Sequence, residues 1–527
     1  MKELGYMIDC SRGQVPRVET IKKFIDIISK FNYTYLMLYT EDIFEMDNHP
    51  YFGYMRGRYS KEELKEIDAY THSKGMELRP CIQTLAHMER IQRHGPYRDL
   101  YDINDIFLVK DECVYKLIED MISTMSETIS SRVIHIGMDE AWRLSRGRYQ
   151  DIHGPAKIQE LMEYHLDRVN NIAKKYGYKC YIWGDMLMSS YINGDVVKLP
   201  ENITPFIWRY SPIGNKETDK EIKLYKKISD DRVAYAGGID KWRGFAPHNS
   251  YAFLSIKEQI LGIRKHNIDN FLLTAWSDGA ADASIFSGLP GAFYASVLFK
   301  EGKFNKECYK QFLDVVGMSF LDYLHIDDLD RFNQEKSRFK GNINDLSFIH
   351  LYNDPLQNIY NEVEDNSFYD FYNKVQKTMQ KLSKNKDFGY IFASLASLAK
   401  LLKTKVGLAS DLYKAYKNKE DLSPIILRAK KVIKCIDEFI KTYEFQWLKE
   451  AKGMGYEKQI IRLGGLKERF RFLIDIINKY QNKEIDKIDE LEEEQIPSNM
   501  CGHKVNPGAD VVCSYRHIVS AGALIEI

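Results

Sequence analysis

At 527 residues the chain is too long for one ordinary domain and suits a large barrel plus one further domain. Lys+Arg and Asp+Glu each total 75, so the formal net charge is zero and the basic excess of a nucleic-acid-binding chain is excluded. No apolar run approaches the roughly 20 residues that a membrane helix needs, so neither nucleic acid nor membrane is an expected partner.

Hydrophobic content of 44% is enough for real cores. Aromatic content is 13%, with 35 Tyr, which suits either stacking on sugars or a large aromatic core; composition by itself favours the core. The eight Cys are scattered, without metal-site spacing or a disulfide-dense pattern. Cys10, Cys81 and Cys180 fall in or beside predicted strands, where a thiol packs as a small hydrophobe. Met-Lys-Glu-Leu-Gly leads straight into a strand, with no basic and apolar leader before it. These features predict a protein of the reducing cytoplasm.

Short apolar runs alternate with amphipathic stretches through the first 300 residues. Residues 4–9 predict the first strand. Val18, Ile21, Ile25 and Ile28 then share one face of a helix. A second strand over 34–40 precedes a helix opened by the capping box of Ser60 and Glu63 and closed by Gly75. A third strand, 76–82, is followed by a helix over 111–130, and a fourth, 132–138, by one from about Lys157 to Gly177. Strands are expected at 179–184, 203–209, 232–238 and 270–276, with the last two helices over 251–266 and 285–300. Eight such repeats indicate a closed (β/α)8 TIM barrel over 1–300. The runner-up, a doubly wound sheet, lacks its Gly-rich phosphate turn after the first strand.

Beyond residue 300 the strands stop. Residues 304–323, 368–382, 390–417, 427–450 and 459–480 read as long, Lys-rich amphipathic helices, giving an α-helical C-terminal domain over 301–490. Residues 483–494 form a charged connector, and 491–527 a short tail, expected as a strand pair or a loose terminus.

In a barrel the chemistry sits on the loops after the strands. The run Val133-Ile134-His135-Ile136-Gly137-Met138-Asp139-Glu140-Ala141-Trp142 is a buried strand ending in two adjacent carboxylates. Side by side, two acids repel, their pKa values separate, and one can keep its proton near neutrality. A glycosidase needs that division: one acid to protonate the leaving oxygen, one carboxylate to stabilise positive charge. The plainer alternative is a solvated pair at a strand end. His135, inside the strand, suits a barrel-filling hydrogen-bonder better than a catalyst.

The run His-x-Gly-x-Asp-Glu at the end of the fourth strand resembles glycoside hydrolase family 20, the β-N-acetylhexosaminidases. Further matches follow in barrel order. Asp9-Cys10-Ser11-Arg12 is similar to the family's Asp-x-x-Arg, and Thr40-Glu41-Asp42 to its second-strand Thr-x-Asp. His87, in Gln83-Thr84-Leu85-Ala86-His87, matches the histidine after the third strand. Trp183, Trp208 and Trp276 end strands five, six and eight, as in the family's aromatic pocket, and three Trp facing one mouth suit a sugar platform. Asp278 stands where many members carry a glutamate. The resemblance covers about residues 1–300 and departs from the family in three ways. No room is expected for the small α/β domain that many members carry before the barrel, Met138 replaces a residue that is often glycine, and the tyrosine for the acetamido carbonyl is left open between Tyr210, Tyr235 and the segment 237–245, which includes Trp242.

The resemblance implies an exo-acting, retaining enzyme that removes terminal β-linked GlcNAc or GalNAc by substrate-assisted catalysis through an oxazolinium ion. It implies Asp139 as the residue that orients the acetamido group and Glu140 as general acid and base. His87, held by Asp42, would tune Glu140. Arg12, steadied by Asp9, and Asp278 would grip the outer hydroxyls, and Trp183, Trp208, Tyr210, Trp242 and Trp276 would line the pocket. It implies no metal and no cofactor. Two other classes fit less well. A metal-dependent barrel amidohydrolase or deacetylase would want His-x-His on the first strand, which offers Asp9-Cys10-Ser11 instead. A non-catalytic glycan-binding protein would have no need of both Asp139 and Glu140.

Overall fold

In the computed structural model, residues 2–278, 281–334, 336–343, 345–361 and 366–496 are described. Eight parallel strands close into a barrel: β1 (Glu3–Asp9), β2 (Tyr35–Tyr39), β3 (Glu77–Cys81), β4 (Val133–His135), β5 (Lys179–Trp183), β6 (Ile203–Trp208), β7 (Ala234–Gly238) and β8 (Asn270–Ala275). Each neighbours the next, and β1 closes on β8 through Glu3↔Asn270 to Ile8↔Ala275. This is the (β/α)8 barrel that the alternating pattern predicts. The weakest seam is β3–β4, paired only at Cys81↔His135. There β4 is shorter than its apolar run suggests, because Gly137 (φ 72°) and Met138 (φ 75°) leave extended geometry.

Period-2 alternation turns Tyr35, Met37 and Tyr39 of β2, and Ala234 and Ala236 of β7, into one interior cluster with Met7, Cys81, Trp183, Phe206 and Leu272. The N-terminal end of the barrel is closed by polar side chains. Arg79 makes a fork to Glu3 at 3.1 and 2.7 Å and lies over the Tyr35 ring, whose hydroxyl donates to Asn270 at 2.8 Å. The helix Val18–Lys30 buries Val18, Ile21, Ile25 and Ile28, and Ser60 and Glu63 form the reciprocal capping box of Lys61–Ser73.

The chain divides into two compact units. The first is the barrel: the chain to Asp240, with Ala252–Ser277 and Gly291–Cys308. The second comprises Lys241–Tyr251, Asp278–Pro290 and the chain from Tyr309. Its long helices are Phe368–Leu382, Gly389–Lys405, Ser423–Glu450 and Tyr456–Gln481. The helix expected over 390–417 is broken, because Gly407 takes a φ of 81° and a second helix, Leu408–Lys417, begins there. A Cβ at Gly407 would lie 2.6 Å from Asn366 Oδ1. The stretch expected as one helix over 304–323 resolves into Tyr309–Val316 and Phe320–Tyr323, the latter capped by Ser319. Short helices at Leu324–Asp330 and Leu346–Tyr352 have no counterpart in the sequence reading. Of the tail, 497–527 lies outside the described residues. No described helix is long and apolar enough to cross a membrane.

Candidate active site

β4 ends at His135, which is fully buried against Trp183 and Phe206. Burial pushes its imidazole down to about 3, and the neutral ring accepts the Gly137 N–H on Nδ1 at 3.1 Å. It fills the barrel, as its place inside the strand predicts. The backbone then runs through left-handed φ values at Gly137, Met138 and Glu140 (72°, 75° and 54°). A Cβ at Gly137 would lie 1.9 Å from Gln83 Oε1, so glycine is needed there on two grounds. Such conformations persist only where the surroundings hold them, and two polar side chains do so. Gln83 accepts the Met138 N–H at 3.3 Å, while its amide donates to Asp139 Oδ1 at 2.9 Å and to the Tyr39 hydroxyl at 3.0 Å. On the other side, Asp185 Oδ2 accepts the Glu140 N–H at 2.9 Å.

The two acids differ in setting. The Asp139 side chain is 13% exposed and that of Glu140 47%. Between them stands His87, with Nε2 3.3 Å from Asp139 Oδ2 and 3.6 Å from Glu140 Oε2. Burial by itself would lower His87, but the charge and hydrogen bond of Asp139 outweigh it and lift the imidazole to about 10. Burial would raise Asp139, yet His87 and Gln83 together hold it below the usual carboxylate range. Burial and then the charge of Asp139 raise Glu140. One acid is thus kept ionised while its neighbour is biased toward its proton.

His87 has a φ of 61°, and Asp105 in the turn between Tyr101–Ile103 and Ile106–Phe107 fixes it. The Asp105 carboxylate accepts the His87 backbone N–H at 2.7 Å and faces Nδ1 at 3.8 Å. The sequence reading expects Asp42 in that place. Instead, the buried Asp42 carboxylate is taken by Arg56, with Nε at 3.1 and 3.0 Å from its two oxygens. The loop over 42–59 folds a guanidinium back onto it, which strand order could not reveal.

At the end of β1, Asp9 accepts the Ser11 N–H and hydroxyl at 2.9 and 2.7 Å and the Ser277 N–H at 3.0 Å. Arg12 is 3.8 Å from Asp9 but closer, 3.3 Å, to Glu41. Glu41 is fully buried, has a φ of 47°, and receives the Tyr39 hydroxyl at 3.0 Å. Burial raises its carboxyl to about 7 against the opposing pull of Arg12.

The aromatics meet across the mouth. Trp183 is buried and lies 5.8 Å from Trp276, which also meets Tyr39 edge-on at 4.8 Å. The Trp276 indole N–H donates to the Tyr210 hydroxyl at 2.7 Å, and Tyr210 stacks on Trp208 at 5.4 Å. Tyr210 packs directly on Gly238, where a Cβ would come within 2.6 Å of the ring. Of the tyrosines left open by the sequence, Tyr235 is buried and donates to Glu221 on the helix Asn215–Ile228, behind the barrel wall. Trp242 and Asp278 fall in the second unit, each partly exposed. Gln83, Glu41, Asp105 and Asp185 were not singled out from the sequence. Gln83 opens the same five-residue run as His87, and Asp185 stands two residues beyond Trp183, but neither position carries a spacing that marks its role. Among the described residues no group of three or more His, Cys, Asp or Glu is arranged to hold a metal ion.

Residues 4–235 match the family model described as "Glycosyl hydrolase family 20, catalytic domain", and residues 321–507 match "Glycoside Hydrolase 20C C-terminal domain". Hexosaminidase D of Bos taurus is 24% identical over 212 residues, 38% of this chain and 60% of that protein. A β-hexosaminidase of Akkermansia muciniphila is 24% identical over 170 residues, covering 26% of this chain and 34% of its own length. The chain therefore spans less than two thirds of the curated relatives it matches. Among solved structures, a β-N-acetylhexosaminidase from Bacteroides fragilis aligns with a TM-score of 0.46 at 20% identity, covering 59% of this chain and 68% of that one. An exo-β-N-acetylglucosaminidase from Vibrio harveyi aligns with a TM-score of 0.46 at 13% identity, covering 62% and 58%.

Proposed function

The chain belongs to glycoside hydrolase family 20, and from that premise we propose that it is a retaining exo-β-N-acetylhexosaminidase acting through its substrate's own acetamido group. The observation that carries this reading is the placement of His87 between two adjacent acids biased in opposite directions, Asp139 ionised and Glu140 toward its proton.

In the proposed first step the acetamido oxygen attacks the anomeric carbon, forming the oxazolinium ring as the glycosidic C–O bond breaks. Asp139 accepts the acetamido N–H, orients it, and stabilises the positive charge that develops. Glu140 gives its proton to the departing oxygen. In the second step Glu140, now a carboxylate, takes a proton from water, whose oxygen attacks the same carbon and reopens the ring. Two displacements return the β-anomer. His87, as imidazolium, keeps Asp139 ionised throughout. Arg12 binds the outer hydroxyls of the terminal sugar, Trp183, Trp208 and Trp276 shield the acetamido group from water, and Tyr210, held by Trp276 and Trp208, is assigned to its carbonyl. Attack by a group already attached to the sugar needs only the right ring shape. The cysteines among the described residues form no disulfide, which supports the reducing compartment that we read for this enzyme.

Hydrolysis of aryl N-acetyl-β-glucosaminide and N-acetyl-β-galactosaminide, set beside the matching aryl β-glucoside, tests the proposal. Turnover of either acetamido substrate, near inertness of the plain glucoside, and a β-anomeric first product by NMR are expected. Efficient cleavage of the glucoside, or a glycosyl ester trapped on the protein, would overturn it.

A further inference from the structure

We propose that Asp185 is a positioning residue for the general acid, its carboxylate tying the backbone of Glu140 to the indole of Trp208. The inference rests on the reading of Glu140 as proton donor given above.

Glu140 needs such an anchor. Its φ of 54° lies in the left-handed region, and it follows Gly137 and Met138 in the same region. Its side chain is 47% exposed and approaches His87 only at 3.6 Å, so packing of the side chain does little to fix where the carboxyl points. The fixed point is the backbone, whose N–H is given to Asp185 Oδ2 at 2.9 Å. The other oxygen, Oδ1, accepts the Trp208 indole N–H at 3.3 Å. Trp208 stacks on Tyr210, and Tyr210 accepts the Trp276 indole N–H at 2.7 Å. A continuous series of contacts therefore runs from the acid in the loop after β4, through the start of the helix Asp185–Ile192 after β5, to the aromatic residues at the ends of β6 and β8.

A carboxylate suits this place because each of its oxygens meets a donor, and an ionised carboxylate only accepts. Asparagine has the same shape but one acceptor; its amide nitrogen would face one of the two N–H groups. The arrangement carries an electrostatic cost, since burial and then the charge of Asp139 raise Asp185 to about 7. An acid held that close to Asp139 persists where both its oxygens are used. Asp185 touches neither bond made nor bond broken; it acts through the geometry of Glu140, and a displacement of about 1 Å at such a group costs on the order of 10²-fold in rate.

The test is a leaving-group series on the full-length enzyme. Aryl N-acetyl-β-glucosaminides spanning a range of phenol acidity, with a β-linked N-acetylglucosamine disaccharide, are assayed with wild type, Glu140→Gln, Asp185→Asn and Asp185→Ser, each checked for folding by its thermal unfolding midpoint. Serine is the second variant, should the asparagine protein fail to fold. For the Asp185 variants, kcat/KM on the disaccharide should fall about 10²-fold while the most acidic phenol is little affected. The dependence of log kcat/KM on leaving-group pKa should steepen toward that of Glu140→Gln. A folded variant that loses the same factor on every substrate, or nothing, overturns the role of Asp185. If Glu140→Gln steepens the series and the Asp185 variants do not, the positioning role alone falls; if Glu140→Gln leaves it unchanged, the acid assignment falls first and takes this one with it.

Discussion

His87 Nε2 stands 3.3 Å from Asp139 Oδ2, with the imidazole raised to about 10 and the carboxyl held low, so the two form an ion pair across the neutral range. The pair is anchored from both sides, by Asp105 on the His87 backbone and by Gln83 on Asp139.

Replacing the cation should move the whole pH profile. In His87→Asn, burial of Asp139 is no longer opposed by a positive charge, so its carboxyl rises and the acidic limb of kcat/KM shifts to higher pH. His87 also lowers Glu140, so its loss raises that group too and moves the basic limb the same way. We expect a bell displaced by about one unit or more, with a lower maximum. A profile that drops without moving would remove His87 from the electrostatics of the pair.

Gln83→Leu should cost rate more than binding. It removes the donor to Asp139 Oδ1, leaves the Met138 N–H without its acceptor, and takes one donor from the Tyr39 hydroxyl, which keeps its bond to Glu41. A fall of about 10²-fold in kcat with KM changed much less is expected, comparable to the loss of one fixed donor at a charged centre. Steady-state kinetics on the disaccharide decides it.

Gly137→Ala meets two obstacles together, a φ of 72° and a Cβ 1.9 Å from Gln83 Oε1. The backbone term alone costs about 1–3 kcal/mol. The variant should unfold at lower urea and lose most of its kcat, because relieving the clash displaces the side chain that holds Asp139. Wild-type activity and midpoint in this variant would contradict the geometry of the strand end.

Arg12→Ala should raise KM about tenfold or more, since a guanidinium fork on sugar hydroxyls contributes binding that leaves with the side chain. It also removes the foremost of the cations that lower Glu41, so that buried carboxyl rises and holds a proton more readily instead of remaining a bare charge. An unchanged KM would make Arg12 a structural partner of Glu41 only.

Asp42→Asn should act on stability before chemistry. Asp42 and Arg56 are a buried pair, and breaking one costs about 3–5 kcal/mol through the charge left behind. Urea unfolding should show the loss while the pH profile of the folded fraction keeps its shape. A shifted profile with intact stability would return Asp42 to the place beside His87 that the sequence suggests.

The barrel and the acidic pair could be read from sequence because both are local signals repeated in order. Apolar runs of strand length, helical periodicity between them and carboxylates at a strand end survive without any knowledge of what lies opposite. The helix break at Gly407 and the shortening of β4 at Gly137 were present in the sequence as single glycines, but a glycine states only that a left-handed turn is permitted, not that one is used. The partners of the site were set by tertiary structure. Asp42 and Asp105 are both acids on loops after the second and third strands, and nothing in their spacing says that Arg56 folds back onto the first while His87 turns to the second. Tyr210 and Tyr235 looked interchangeable until the barrel wall put Trp276 beside one and Glu221 beside the other. The sequence by itself determined which residue types reach the barrel mouth, since strand order and alternation depend on neighbours along the chain. Which of them touch was decided only by the tertiary structure, because hydrogen bonds between residues 14 to 66 positions apart depend on twist, loop path and packing that no local pattern encodes.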